Sequence, residues 1–80
     1  MSEIISLYEK KLEKVDDGAL MDEAAFCGEL MERAAHVRKP LTPSEMEWCR
    51  AVFQAGFDRS KDDHMKLIYE AALRVLPFLA

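Results

Sequence analysis

The stretch KPLTPSEMEW, residues 39–48, decides the fold, because it holds two prolines, a capping signal and the one tryptophan of the chain. Pro40 discourages a helix from continuing through Lys39. Thr42 followed three residues later by Glu45 fits the capping box, in which each side chain bonds the other's backbone amide. Pro43 then falls at the first helical position, where its missing donor costs nothing. Leu41 and Met46 are spaced as a hydrophobic staple that sets the entry angle. All of these signals point to one boundary, with a helix ending before it and another beginning at Pro43.

The helix that follows is predicted to run to about Gly56, with Met46, Cys49, Val52, Phe53 and Gly56 on its inner face. Trp48 lies about 100° from that stripe. Two roles are open to it: covering a seam between helices, or standing partly exposed as an aromatic anchor for another chain.

Upstream, a helix from Ala19 to Arg38 carries Leu20, Ala24, Cys27, Met31 and Ala34 along one line and Phe26, Leu30 and Val37 along another. With apolar residues over so much of its circumference, it is expected to sit centrally. Before it, DDG at 16–18 offers a glycine for a left-handed helix end, with Asp17 or Asp22 to cap the next helix. The first helix is expected from Ser2 to Asp16, with Ile4, Ile5, Tyr8, Leu12 and Val15 inward and Glu9, Lys10, Glu13 and Lys14 on a solvated side. Downstream, Ser60 with Asp63 is a weaker capping pair, opening a helix with Met65, Ile68, Tyr69, Ala72, Val75 and Leu76 on one side. Pro77 ends or kinks that helix and leaves PFLA as an apolar tail. Gly28 and Gly56, inside helices, are read as marks of close helix crossing.

The chain is therefore predicted to be all-α, a small four-helix bundle joined by short turns, with residues 1–80 as a single helical domain. Eighty residues, half of them hydrophobic and 32% charged, are enough to fold. At this size a core supplies only a few kcal/mol unless packing or association helps. Nine acids face six bases in residues 1–40, and six face five in 41–80, for a net charge of −4. That balance disfavours direct nucleic-acid binding, which needs clustered lysine and arginine, and makes a basic or neutral protein surface the easier partner. No apolar run approaches the roughly 18 residues of a membrane span, and no basic start precedes an apolar stretch. The expected address is cytoplasmic.

Signals for chemistry are weak. Asp58, Ser60 and Asp62 match the first ligand positions of a calcium loop. However, Asp63 stands where the sharp turn needs glycine, and Tyr69 stands where a bidentate glutamate belongs. His36 and His64 have no partner at ligand spacing, and Cys27 and Cys49 form no paired-thiol motif, so both are read as unbridged core thiols. No metal or cofactor is expected. As a recognition helix, the third helix would turn Ser44, Glu45 and Glu47 toward phosphate.

The leading expectation is a non-catalytic protein–protein interaction module, a small regulatory, accessory or inhibitor protein acting on another protein. Leu7, Trp48, Leu67, Phe78 and Leu79 exceed what the inner faces need and are the candidate partner-binding residues. A homodimer would bury them and is favoured over a monomer. The alternative is a nucleic-acid-associated transcription modulator, acting through a protein partner or through Arg33, Arg38 and Lys39. A metal-linked or thiol enzyme using Cys49 ranks third.

Residues 41–78, from LTPSEMEW through FQAGFDRS to MKLIYEAALRVLPF, slightly resemble the second half of the Hha/YmoA family of bacterial nucleoid-protein modulators. The shared points are the Leu-Thr-x-x-Glu helix start, the Asp58-Arg59 pair, and Met65, Lys66, Tyr69, Val75 and Phe78. The alignment needs a gap, and residues before 41 do not match. The resemblance implies a partner-dependent transcription modulator that binds protein rather than bases.

The helix boundary at residue 42 is directly testable: Thr42→Ala should lower stability by about 1 kcal/mol, read as a shift in the denaturation midpoint.

Overall fold

The computed structural model describes residue 8 and residues 10–79, and every described element is helical. The first helix, α1, is described at residues 8 and 10–13. It is followed by α2 (Asp17–Val37), α3 (Pro43–Arg59), α4 (Asp63–Val75) and a closing 3-10 turn (Leu76–Leu79). The expected all-α bundle is what forms. The predicted cap at Ser2 and the apolar positions Ile4, Ile5 and Leu7 lie outside the described residues.

The junction at residues 38–45 forms as its sequence dictates. The Glu45 amide donates to Thr42 Oγ1 at 3.2 Å, and the Thr42 amide donates to Glu45 Oε1 at 2.9 Å, with Pro43 in the first turn. Leu41 and Met46, on either side of the cap, are both buried. The Thr42 amide is the main reason that the Glu45 carboxyl titrates below its ordinary range; Arg33, whose Nη2 lies 3.5 Å from Glu45 Oε2, adds to the effect. A depressed folded pKa means that this contribution is fully present above the ordinary carboxylate value and is lost as pH falls through the folded one.

α3, and not α2 as expected, is the central rod. It buries six residues, Met46, Cys49, Ala51, Val52, Phe53 and Gly56, against four on α2 and one on α4. α2 and α4 both pack on α3 and hardly touch each other. α1 lies on a further side of α3, where Tyr8 meets Trp48 and Leu12 is sealed. α2 packs on α3 and on the closing 3-10 turn but hardly on α4, and its second apolar line does not close: Leu30 is buried, but Phe26 and Val37 are exposed. The same holds for α4, where Tyr69 is buried while Ile68 and Val75, expected on the inner face, are about half exposed.

The ends of the helices differ from expectation where side chains found better partners. α1 turns at Lys14, short of Asp16, and Arg59 takes up the carbonyls at this end: Nη1 donates to Val15 O at 2.6 Å and Nη2 to Leu12 O at 2.7 Å. Asp16 instead caps α2, accepting the Ala19 amide at 2.7 Å, so neither Asp17 nor Asp22 takes that role. Gly18 sits inside the first turn of α2 and is not left-handed. The left-handed residue is Arg38, at φ 53°, which ends α2. α3 runs three residues beyond Gly56 to Arg59, and Ser60 caps its end by donating its amide to Gly56 O. The N-cap of α4 is then Asp62, accepting the His64 amide at 2.9 Å, and the expected Ser60–Asp63 pair does not form.

Pro77 acts as expected. α4 stops at Val75, Leu76 is buried in the 3-10 turn, and the Leu79 carbonyl accepts the Leu41 amide at 2.8 Å. This bond ties the end of the chain to the junction before α3.

The two helical glycines part company. A β-carbon on Gly56 would stand 2.6 Å from the Tyr69 ring, so α3 and α4 cross closely here as predicted. A β-carbon on Gly28 would meet nothing within 4 Å, which overturns the close-crossing reading at that position. Gly56→Ala should therefore destabilise by about 1–3 kcal/mol through overpacking. Gly28→Ala should instead stabilise by about 0.5–1 kcal/mol through helix propensity. Chemical denaturation of the two variants checks the opposite signs.

Candidate functional site

The residues expected to meet a partner fall on separate faces. Trp48 is half-buried, its ring edge-on to Tyr8 with centroids 5.2 Å apart, so it covers the α1–α3 seam. Leu67, 64% exposed, stands on the outer side of α4. Phe78, 86% exposed, and Leu79 line a shallow hollow of about 290 Å³ with Ala34, Arg38 and Pro40. Leu7 lies outside the described residues. The structure thus brings Phe78 and Leu79 together and leaves Leu67 and Trp48 apart from them.

A larger apolar surface lies where the sequence reading placed core. Between α2 and α4, which diverge over the face of α3, runs a groove of about 320 Å³ floored by Phe53 and Tyr69. One wall is small, made by Ala24, Ala25 and Gly28 of α2, and the other is bulky, made by Met65 and Ile68 of α4. Met21 and Ile68, on opposite rims, are each about half exposed or more. The signal was present in the 3–4 spacing of Met21, Ala24, Gly28 and Met31 on α2 and of Met65, Ile68, Ala72 and Val75 on α4. Periodicity marks a face as apolar, but it does not say whether the same chain covers it.

At the foot of this groove a second hollow of about 410 Å³ opens between the start of α2 and the α3–α4 turn. Arg59 and Lys61 line it, but the Arg59 guanidinium is committed to the two carbonyls of α1 and lies 3.8 Å from Asp17. The residues of the calcium-loop match are also engaged as helix ends. Asp58 accepts from Gln54 Nε2 at 3.1 Å, Ser60 closes α3 and Asp62 opens α4. Among the described residues, no group of three or more His, Cys, Asp or Glu is placed to hold a metal ion. Of the basic cluster, Arg33 reaches Glu45, while Arg38 and Lys39 are exposed.

Cys27 and Cys49 are completely buried and unbridged, with their thiols neighbouring each other between α2 and α3. Thiol–thiol interaction with Cys49, and then burial, pushes the Cys27 thiol far above its ordinary range. The same interaction lowers Cys49, while burial opposes it. With Val52, also fully buried, the two sulfurs form the sealed centre of the core. The Glu47 Oε2 atom is buried without a hydrogen-bond partner among the described residues.

No family model, curated protein or solved structure matches the chain. Among the described residues, no helix is long and apolar enough to cross a membrane.

Sealed thiols react only when the core opens. In the native protein, both cysteines should label with an aromatic disulfide reagent at least about a hundredfold more slowly than in denaturant, at equal pH. A fast native phase would show that the α2–α3 core is open.

Proposed function

We propose that the chain is a small non-catalytic, cytoplasmic helical module that works by presenting apolar surface to another protein, as a regulatory or accessory factor. The observation that supports this most is the amount of large apolar side chain left uncovered. Met21, Phe26, Val37, Leu67, Ile68, Val75 and Phe78 are all about half exposed or more. Single exposed apolar residues are ordinary, but contiguous ones on a small protein mark interaction surfaces. A homodimer is the simplest assembly that would cover part of them. A second reading, a transcription modulator that reaches nucleic acid through a protein partner, draws on exposed Lys39 and on exposed Arg38, which shares a hollow with Phe78. Salt-dependent binding of the purified protein to duplex DNA would favour it.

Affinity capture from cells, read by mass spectrometry, tests the leading reading. The wild-type chain should recover a defined protein in stoichiometric amount. Leu67→Asp with Phe78→Asp should reduce that recovery by about tenfold or more, while circular dichroism shows unchanged helicity. Recovery of nothing above a scrambled control would overturn it.

A further inference from the structure

We infer that the groove between α2 and α4 is a seat for one amphipathic α-helix of a partner protein, a helix with an apolar stripe and lysine or arginine on its flanks. This rests on the reading of the chain as an interaction module, and names the site and chemistry of its partner.

Shape supports a helix as the occupant. α2 and α4 lie side by side on α3 without packing on each other, and the molecule measures 33 × 30 × 18 Å. A helix of about 10–12 Å diameter laid in the groove would rest on α2 and α4 together, on the side opposite α3. Both walls carry apolar residues at alternating spacings of three and four, the pattern that interlocks with a third helix. At the middle of the groove the α2 wall consists of Ala24, Ala25 and Gly28, with open space above the Gly28 backbone. An incoming backbone can come close there, while Met21 and Ile68 close over its sides.

Charge selects the kind of helix. By rotation of about 100° per residue, Glu32 lies beside Gly28 at the α2 rim, with Glu29 and Asp22 next outward, and all three are exposed. By the same rotation the α4 rim carries no carboxylate, lysine or arginine, since Glu70 and Arg74 pair on the far side of that helix. On α2, Glu32 has the His36 imidazole at 3.8 Å and Arg33 turns to Glu45, which leaves the rim with excess negative charge. The mouth is balanced, with Arg59 and Lys61 against Asp17 and Asp62, so the charge bias lies along the α2 rim. A second copy of this chain, at net charge −4, would bring the same α2 carboxylates toward an already acidic rim. A basic helix would neutralise them.

The test uses two fluorescent helical peptides with the same leucine and alanine stripe, one flanked by lysine and one by glutamate, titrated against the full chain by anisotropy. The lysine peptide should bind saturably and at least about tenfold more tightly than the glutamate peptide, with affinity falling as salt rises. Gly28→Trp, which fills the groove, should abolish binding. Glu29→Lys with Glu32→Lys, which leaves the apolar walls intact, should weaken it by about tenfold or more. Ser44→Ala, at an exposed position in the first turn of α3 outside the groove, should change nothing. Absence of binding, equal binding of both peptides, or full binding by folded Gly28→Trp would each overturn the inference. So would a wild-type dimer in sedimentation that Gly28→Trp converts to monomer, which would make a second copy the occupant. If Gly28→Trp still captures the cellular partner but Leu67→Asp with Phe78→Asp does not, the groove assignment fails while the interaction reading survives.

Discussion

The close approach of α3 and α4 at Gly56 is the constraint on which the rest of the structure depends. The Tyr69 ring lies where a side chain at residue 56 would otherwise be, so α4 beds down on α3 by its Tyr69 line and not by its whole apolar arc. Phe53, one turn earlier on α3, tilts against the same ring at 6.4 Å. Once α4 is held there and α2 is held by the Cys27–Cys49 contact, the two outer helices stand apart and the face between them stays open. A bulkier residue at 56 would push α4 away and change the width of that opening.

The economy of the molecule follows from this geometry. α3 spends its apolar residues on the core, whereas α2 and α4 each spend about half of theirs on surface. In a chain of this length, uncovered methionine, isoleucine and phenylalanine contribute little to folding and expose the protein to aggregation. The acidic residues beside the groove add like-charge repulsion between identical faces.

Much of the fold was legible in the sequence because local chemistry and global packing agreed at residues 39–48. Thr42, Pro43 and Glu45 define a helix start with backbone bonds that need no tertiary help. The Gly56 crossing and the break at Pro77 were readable for the same kind of reason. What failed depended on distant partners. The carbonyls at the end of α1 are taken up by Arg59, which is 44 residues from Val15 in sequence, and no helix-end rule within residues 1–18 contains that information. The groove was hidden for a different reason: Ile68 and Val75 share a stripe with buried Tyr69, and periodicity cannot tell one covering neighbour from two. Leu67 and Phe78 were found as surplus because they break the stripe, while Ile68 was missed because it keeps it.

The bond between the Leu41 amide and the Leu79 carbonyl joins segments that sequence places far apart. Fraying of the last turn and loosening of the α2–α3 junction are therefore not separate local events but parts of one cooperative unit. Any loosening of residues 76–79 is transmitted to the entrance of the central rod. The capping box, rigid by its own hydrogen bonds, acts in return as a restraint on the 3-10 turn.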